Sequence, residues 1–388
     1  MIISGVEISS APGMRTQLGR SRADESQLWA WGRNNNGQLG ISDINHRSSP
    51  IQTIAGGINW SKISAGGYHT VAIKSDNTLW TWGRNESGNL GDNTTIHRSS
   101  PVQTIAGGSN WSSVAGGYSI TGAIKTDGTL WVWGKNNYGQ LGDNSITNWS
   151  SPVQTIAGGS NWSSFYSGGA SFSGGIKTDG TLWVWGRNDL SLLGDNTQIH
   201  RSSPVQTIAG GTNWKQAAGG TDHTAAIKTD GTLWVWGRNI NGQLGINSTT
   251  APVSSPIQTI SGGTNWRTLA TGIYNTMAIK TDGTLWGWGW NPYGVLGDNS
   301  TIWKSSPVQT VAGGTNWAQV STGYNTAAIK TDGTLWAWGR NSYGQLGDNT
   351  VIGKSSPVQT IASGSNWATV SVGFYQHMLT IRTQTYAE

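Results

Sequence analysis

The fold is decided by the stretch Leu335-Trp-Ala-Trp-Gly-Arg-Asn-Ser-Tyr-Gly-Gln-Leu-Gly347. Its first five residues, Leu-Trp-x-Trp-Gly, recur every 50 to 52 residues, at Leu28, Leu79, Leu130, Leu182, Leu233, Leu285 and Leu335. An Asn-Trp pair and a Ser-Ser-Pro triplet recur once per copy in the same register. A fixed period of this length predicts a repeat architecture, in which each unit packs on its neighbours.

Each repeat contains four short apolar segments separated by Gly-rich turns, as expected for four β-strands. In Leu233-Trp-Val-Trp236 the alternation places Leu233 and Val235 on one face and both tryptophans on the other. Because both faces of this strand are apolar, each needs a covering layer. A propeller supplies both layers, since each blade packs between two others. The sequence therefore predicts an all-β protein, a seven-bladed β-propeller of four-stranded antiparallel blades.

The two ends of the chain complement each other. The copy at Leu28 lacks the strand that precedes Leu-Trp-x-Trp in the other repeats, whereas the last repeat continues past Trp367 to a strand-like segment at 377–382. We expect the N- and C-terminal segments to share one blade, which closes the ring and removes an exposed sheet edge. Residues 23–388 then form the propeller, and residues 1–22 form an N-terminal extension or docking arm.

Composition restricts the chemistry. The 388 residues include 24 Trp but only 3 Phe, and the repeat accounts for three Trp in each of seven copies. The absence of cysteine excludes disulfides, thiolate zinc sites and cysteine nucleophiles. Charged residues make up 11% of the chain, with a net charge of +5. The first residues do not have the pattern of a signal peptide, and we expect a soluble protein made in the cytoplasm, either free or incorporated in a virion.

The run Leu-Trp-x-Trp-Gly-Arg-Asn-x-x-Gly-Gln-Leu-Gly, present at 28–40 and 335–347, closely resembles the signature of the regulator of chromosome condensation (RCC1) repeat. The resemblance covers residues 23–388 and implies a seven-bladed propeller. Similar domains include an exchange factor for a small GTPase, a plant ultraviolet photoreceptor, ubiquitin-ligase modules, and bacterial or phage proteins, so fold alone does not fix function. This sequence has neither the wedge-like insertion expected of the exchange factor nor the photoreceptor's Gly-Trp-Arg-His-Thr motif.

Catalysis requires one asymmetric group of acid, base or nucleophile, whereas seven similar repeats supply copies of every group. The histidines fall at two repeat positions that are held apart on different blades, so they do not predict a metal site: His46, His97 and His200 in one loop, and His69, His223 and His377 near the strand before Leu-Trp-x-Trp. The Asp of each Leu-Gly-Asp-Asn is expected to form a turn. The sequence predicts no enzyme activity, cofactor or metal.

Two sets of residues are candidate ligand or partner contacts. The first follows Leu-Trp-x-Trp-Gly directly and either attracts polyanions to one face or stacks on a Trp of the neighbouring blade: Arg33, Arg84, Lys135, Arg187, Arg238 and Arg340. The second consists of tryptophans outside the repeat pattern, which mark either sugar or protein contacts or variation in tolerant loops: Trp149, Trp290 and Trp303. Trp290 stands where the other repeats carry the basic residue.

These observations favour a non-catalytic scaffold for protein–protein interaction, as a phage virion surface or tail component or a bacterial structural protein. One alternative is a carbohydrate-binding or host-recognition module. Another is an exchange-factor-like regulator of a small GTPase. The expected partners are proteins, in a larger virion or cell-surface assembly, or a glycan. Specific nucleic-acid binding and membrane insertion are not expected.

Overall fold

The computed structural model describes the protein over residues 25–54, 59–156, 159–169, 171–250, 252–361 and 364–384. Within these ranges the chain forms 28 β-strands and no helix, so it contains no helix that could cross a membrane. The strands form seven four-stranded antiparallel sheets. Each sheet packs against two others as the blade of a ring. The predicted seven-bladed propeller is confirmed.

Each blade has an inner, a second, a third and an outer strand. The inner strands are β3 (Trp60–Ala65), β7 (Trp111–Gly116), β11 (Trp162–Gly168), β15 (Trp214–Gly219), β19 (Trp266–Thr271), β23 (Trp317–Thr322) and β27 (Trp367–Val372). The second strands are β4 (His69–Lys74), β8 (Ile120–Lys125), β12 (Phe172–Lys177), β16 (His223–Lys228), β20 (Asn275–Lys280), β24 (Asn325–Lys330) and β28 (His377–Gln384).

The third strands carry Leu-Trp-x-Trp-Gly and are β5 (Leu79–Gly83), β9 (Leu130–Gly134), β13 (Leu182–Gly186), β17 (Leu233–Gly237), β21 (Leu285–Gly289), β25 (Leu335–Gly339) and β1 (Glu25–Gly32). The outer strands are β6 (Arg98–Gln103), β10 (Trp149–Gln154), β14 (Arg201–Gln206), β18 (Val253–Gln258), β22 (Lys304–Gln309), β26 (Lys354–Gln359) and β2 (Arg47–Gln52). We number the blades 1 to 7 in the order of their inner strands.

Blade 7 is built from both ends of the chain, as the sequence predicts. Its sheet order is β2-β1-β28-β27. Strand β1 pairs with β28 along its whole length, from Glu25 opposite Gln384 to Gly32 opposite His377. The ring is therefore closed by eight consecutive residue pairs between the two ends. The predicted arm at 1–22 lies outside the described residues.

Tryptophans join each blade to the next. The second Trp of each Leu-Trp-x-Trp is fully buried, and its Nε1 donates a hydrogen bond to a backbone carbonyl of the preceding blade. Trp338 donates to Val295 at 2.8 Å, and Trp31 donates from blade 7 to Gln345 of blade 6 at 3.0 Å. All seven interfaces contain this bond, from Trp31, Trp82, Trp133, Trp185, Trp236, Trp288 and Trp338.

The first Trp of the motif is only partly buried, because it forms one side of a lysine site. In blade 1, Lys74 Nζ lies 4.5 Å from the ring centroid of Trp80 and 5.1 Å from that of Trp60. The same arrangement recurs in blades 2 to 6. In blades 1 to 6 the cation that stacks on Trp is thus this lysine, and both rings come from the same blade. Four of the arginines after the motif stack on tyrosine instead, which corrects the expected Arg–Trp contact between blades: Arg33, Arg84, Arg187 and Arg340.

The antiparallel order gives the ring two different faces. We call upper the face that carries the inner-to-second and third-to-outer connections of each blade. The lower face carries the second-to-third hairpins and the connections to the next blade. Because Gly32 ends strand β1, the basic residues after Leu-Trp-x-Trp-Gly all begin loops on the upper face.

Candidate functional site

The candidate site lies on the upper face, where the two loops of each blade are bonded to each other. The backbone N–H of Arg84 donates to the carbonyl of Tyr68 at 2.9 Å, and that of Arg340 donates to Tyr324 at 3.1 Å. Gly83 precedes Arg84 with a φ of 106°, and a Cβ at this position would collide with the Tyr68 carbonyl. Glycine is needed here for this backbone conformation and close approach. The repeated Gly therefore brings the basic residue against the inner loop.

Five of the seven inner loops carry a tyrosine either at the residue that accepts this bond or one residue before it, and the rings of these tyrosines take part in contacts across blades. Tyr375 of blade 7 stacks on Tyr68 of blade 1, with centroids 4.7 Å apart and planes 15° apart. The Tyr375 ring also lies 5.1 Å from that of Tyr118 in blade 2 and 5.8 Å from that of Tyr324 in blade 6. Edge-to-face and offset contacts at these separations are favourable for aromatic rings.

Trp290 extends this series into blade 5. Its ring centroid lies 5.7 Å from that of Tyr324, 5.4 Å from that of Tyr293 and 6.0 Å from that of Tyr274. Ring contacts thus run without a break from Tyr118 to Tyr274, through blades 2, 1, 7, 6 and 5. The off-pattern Trp290 belongs to this surface, because an indole replaces the usual cation beside the inner-loop tyrosine.

Arginines lie over the tyrosine rings. The guanidinium carbon of Arg33 is 5.0 Å from the Tyr68 centroid and 5.2 Å from that of Tyr343. Arg340 lies 5.1 Å from Tyr293 and 5.4 Å from Tyr324. We call the following set the aromatic–arginine arc, and all its members are partly exposed: Tyr68, Tyr118, Tyr274, Trp290, Tyr293, Tyr324, Tyr343, Tyr375, Arg33, Arg84 and Arg340.

The arc is cationic as well as aromatic. Arg84 pairs with Glu86, but within the described ranges neither Arg33 nor Arg340 forms an ion pair with a carboxylate. Arg33 Nε donates to the Asn35 side chain at 2.9 Å, and Arg340 Nε donates to Ser342 Oγ at 3.1 Å. Burial raises the pKa of Tyr68, Tyr274 and Tyr324 above the usual tyrosine value, so these phenols stay neutral near pH 7.

The rest of the upper face differs in charge. In blade 3, Arg187 Nε donates to Asp189 Oδ1 at 2.6 Å. In blade 4, Asp222 takes the inner-loop place of tyrosine and accepts from Arg238 Nη1 at 2.9 Å. We call these two pairs the neutralised sector. Lys135, in blade 2, makes no ion pair to any described residue. The structure thus brings three of the six basic candidates into the arc and leaves Lys135, Arg187 and Arg238 outside it.

The other two off-pattern tryptophans lie apart from the arc, on third-to-outer loops. Trp149 begins strand β10 and donates from Nε1 to Asp143 Oδ2 at 2.7 Å. Trp303 directly precedes strand β22 and is 49% exposed. Within the part of the chain that is described, neither ring contacts another aromatic ring. Trp149 is thus held in place by Asp143, whereas Trp303 is an exposed ring for which the described residues give no structural explanation.

A cleft of about 350 Å³ opens at one end of the arc, between blades 5 and 6. Arg340 and Tyr293 contribute to its walls on the side of the arc. The other walls are formed by neutral residues: Pro292, Thr301, Asn341, Ser342, Val351, Gly353 and Ser355. Arg340 is the charged side chain of this lining. The cleft therefore combines one cation, one aromatic ring and several hydroxyl or amide groups.

The histidines have structural positions. His97 Nδ1 accepts from the backbone N–H of Asn85 at 3.0 Å, and His46 and His200 do the same in their own loops. His69, His223 and His377 are fully buried, and burial lowers the pKa of each to about 3. His69 Nε2 lies 2.9 Å from Thr121 Oγ1 of the next blade. Among the described residues no three His, Cys, Asp or Glu side chains come together as a metal site.

The Asp of Leu-Gly-Asp-Asn shapes the third-to-outer loop. Asp92 Oδ1 accepts from the Thr94 backbone N–H at 3.1 Å and from Asn85 Nδ2 at 3.0 Å. Asn93 adopts a left-handed φ of 58° in the same turn. This is the turn role that the sequence predicts. It holds the loop that begins with the basic residue.

The tyrosines of the arc were not among the residues singled out in the sequence. Their signal was present, because Tyr follows Gly or Gly-x in five of the seven inner loops, as in Gly67-Tyr68 and Gly323-Tyr324. Each tyrosine alone is an ordinary loop residue. Its role depends on contacts between blades, such as Tyr118 with Tyr375, and these arise only from ring closure.

Seven tryptophan-joined blades, closed by both chain ends and carrying a loop surface on one face, define a repeat-built β-propeller. The chain belongs to the RCC1-like family: the RCC1-like domain model matches residues 21–268, and the regulator of chromosome condensation (RCC1) repeat matches 282–329 and 332–379. The resemblance read from the motif is thereby confirmed.

Two curated relatives and one solved structure illustrate this similarity. The chain is 34% identical over 226 residues to the ultraviolet-B receptor UVR8 of Arabidopsis thaliana, covering 57% of this chain and 51% of the receptor. It is 27% identical over 267 residues to the human E3 ubiquitin-protein ligase HERC2, covering 67% of this chain and 6% of the ligase. The chain thus spans about half or less of these relatives.

The solved structure is that of Prp20p from Saccharomyces cerevisiae, described with its binding properties to Gsp1p and histones. It matches with a TM-score of 0.82 at 19% identity, over 92% of this chain and 91% of that chain. At this identity the likeness shows a shared fold.

Proposed function

We propose that this chain is a non-catalytic propeller that binds another protein through the aromatic–arginine arc. The observation that carries the proposal is the unbroken series of partly exposed rings from Tyr118 to Tyr274, with arginines over them. Tyrosine, tryptophan and arginine are the residues enriched in the energetically important centres of protein interfaces. Their concentration on one part of one face supports a single docking region.

The fold supports a protein partner as well. Prp20p, which shares this architecture, is described as binding Gsp1p and histones. The arc itself offers stacking surfaces and guanidinium donors, and its phenols stay neutral because burial raises the pKa of Tyr68 and Tyr324. These groups are suited to recognition. Proton transfer near pH 7 would need a different set of side chains.

The experiment uses three tyrosines at one repeat position: Tyr138, Tyr293 and Tyr343. A photo-reactive phenylalanine is placed at Tyr293 or Tyr343 in the arc, or at Tyr138 on the other side of the face, in cells that naturally express the chain. Tyr138 and Tyr293 are similarly exposed, at 36% and 38%. We expect a discrete cross-linked protein from the arc positions and little from Tyr138. Equal cross-linking from all three positions, or none from the arc, would contradict the proposal.

A carbohydrate-binding module is the second candidate, and the cleft between blades 5 and 6 favours it. Its volume of about 350 Å³ is within the range of small-ligand sites, and its hydroxyl and amide lining beside Tyr293 suits a sugar ring. Glycan-array binding that is lost in Tyr293→Ala, whose ring lines the cleft, and retained in Tyr138→Ala would support this function. Two further hypotheses remain predictions: that the chain acts as an exchange factor for a small GTPase, and that it is part of a virion or tail. For the first, we expect no acceleration of labelled-GDP release from a small GTPase.

A further inference from the structure

The chemistry of the partner segment can be read from two arginines of the arc. Arg33 and Arg340 lie on adjacent blades and converge on Gln376. The Arg33 backbone N–H donates to the Gln376 carbonyl at 2.8 Å. With its amide turned so that the oxygen faces Arg340, Gln376 accepts from Nη1 at 2.8 Å. Arg33 also lies over Tyr343, which belongs to the loop that Arg340 begins.

Neutral groups satisfy both guanidiniums only in part. A guanidinium has five N–H donors. Arg33 donates to the Asn35 amide and the Tyr68 hydroxyl and lies over aromatic rings. Arg340 donates to the Ser342 hydroxyl and the Gln376 amide and also lies over aromatic rings. In the neutralised sector, by contrast, Asp189 and Asp222 supply carboxylates to the equivalent arginines. Arginine forms its strongest hydrogen bonds with carboxylate or phosphate oxygens, often two at once. The arc therefore offers two cationic donors whose preferred acceptor must come from outside.

The cleft beside Arg340 indicates a second property of the ligand. Its lining includes the apolar surfaces of Tyr293, Pro292 and Val351, and the Tyr293 ring centroid lies 5.1 Å from the guanidinium carbon of Arg340. A ligand that places a carboxylate on Arg340 can place an adjacent apolar side chain against these residues. The aromatic rings between Arg33 and Arg340 would cover the backbone that links the two contacts.

We infer that the arc binds an extended acidic segment of a partner protein, with carboxylates on Arg33 and Arg340 and an apolar side chain in the cleft beside Arg340. This inference rests on the proposed function and specifies its ligand. A peptide is favoured over a polyphosphate chain, because a phosphate backbone is bound by a row of cations. Here Glu86 pairs with Arg84, and Asp189 and Asp222 place carboxylates elsewhere on the same face.

The test uses fluorescein-labelled peptides and the full chain. The acidic probe is three copies of Asp-Leu-Glu-Gly, and its matched control is three copies of Asn-Leu-Gln-Gly, which keeps the shape and removes the charge. Fluorescence anisotropy in low and high salt measures binding. We expect the acidic peptide to bind at least about tenfold more tightly than the neutral one. The ratio of the two affinities should decrease in high salt.

Variants locate the site. Arg33→Gln with Arg340→Gln should weaken binding of the acidic peptide about tenfold. The matched control is Arg187→Gln with Arg238→Gln, at the same repeat position in the neutralised sector, which should change binding less than about twofold. Thermal melting checks that each variant is folded. Because these side chains are partly exposed, melting should stay close to that of the wild type.

Three results would overturn the inference: equal binding of the neutral peptide, equal loss in both double variants, or binding of an oligothymidylate of equal charge in place of the acidic peptide. Photo-cross-linking from Tyr293 to the natural partner does not depend on charge. If cross-linking to a partner is found but the chain with both arginines intact does not bind the acidic peptide, the proposed function stands and the acidic ligand is wrong. If both fail in the wild type, the proposed function is wrong as well.

Discussion

The aromatic–arginine arc and the neutralised sector have the same backbone arrangement but expose different side chains. In both, a glycine ends the third strand and a basic residue bonds to the inner loop, as Arg340 does to Tyr324 and Arg238 does to Asp222. Where no carboxylate is close by, as at Arg33 and Arg340, the cation stacks on tyrosine and stays open to a ligand. A carboxylate satisfies the cation internally, from the inner loop in the case of Asp222 or from two residues after the arginine in the case of Asp189. The presence of a nearby carboxylate therefore decides whether that part of the face is available for binding.

The largest expected effect tests whether the buried Trp hydrogen bonds between blades contribute equally to stability beneath both regions. Trp338 donates to Val295 beneath the arc, and Trp236 donates to Leu192 beneath the neutralised sector, both at 2.8 Å. Trp338→Ala and Trp236→Ala should each lower the free energy of unfolding by about 3 to 5 kcal/mol, through a cavity and an unpaired carbonyl. Urea unfolding measures both. Losses of unfolding free energy that differ by more than about 2 kcal/mol would show that the Trp contacts contribute unequally beneath the two regions.

The next effect concerns the buried histidines His69, under the arc, and His223, under the neutralised sector. Burial lowers the pKa of each to about 3, whereas an unfolded histidine has a pKa of about 6.5. Between these values the unfolded chain binds more protons. The stability that each neutral imidazole contributes is therefore complete above about pH 6.5 and is lost as the pH falls toward 3.

Asparagine is a suitable replacement, because Asn275 and Asn325 occupy the equivalent position in blades 5 and 6. Asn275 donates to Thr322 Oγ1 of the next blade at 2.8 Å. In the wild type, each of these histidines should account for roughly 3 kcal/mol of the unfolding free energy lost between pH 7 and pH 4. His69→Asn and His223→Asn should each abolish that part of the pH dependence. Urea unfolding at the two pH values gives this difference. An unchanged pH dependence in either variant would contradict the neutral, buried state of that histidine.

A smaller effect distinguishes the two regions themselves. The Tyr324 ring contacts three other rings and lies under Arg340, whereas the Tyr138 ring contacts His200 and Arg187. Tyr324→Ala should therefore lower the free energy of unfolding by about 1 to 2 kcal/mol, and Tyr138→Ala by less than about 1 kcal/mol. Chemical denaturation of both variants checks the difference. Equal losses would mean that the ring contacts of the arc add little to stability.

The smallest effect on stability is expected from a variant that gives the neutralised sector unpaired arginines like those of the arc. Asp189→Ser with Asp222→Ser leaves Arg187 and Arg238 without their carboxylates. The unfolding free energy should change by no more than about 1 kcal/mol, because these arginines are partly exposed. Binding of the acidic peptide should become roughly twofold to fivefold tighter. Unchanged peptide affinity would show that unpaired arginines are insufficient and that the tyrosines are required.

Sequence reasoning was sufficient for features that each repeat specifies alone. The period of Leu-Trp-x-Trp-Gly predicted seven blades, and the missing strand before Leu28 predicted the shared blade that β1 and β28 form. The turn role of Asp92 also followed from its immediate neighbours. These signals lie within a few residues of the structure they determine.

The arc could not be predicted in this way, because it depends on contacts between blades. Tyr375 touches Tyr118, two blades away around the ring, and neither residue departs from ordinary loop composition. Likewise, Arg33 and Arg187 occupy the same repeat position, and Asp189 is what distinguishes the environment of Arg187. Trp290 was recognisable because it breaks the pattern, whereas its tyrosine neighbours were not. Ring closure creates this surface, and a single repeat contains only part of it.

The pairing of Glu25 with Gln384 also places both terminal strands of the ring on one side. Strand β1 begins and strand β28 ends at the lower side of blade 7, so the described part of the chain starts and finishes opposite the arc. A body that contacts the ring next to Glu25 and Gln384 would therefore cover the lower face and leave the arginines and tyrosines of the arc accessible.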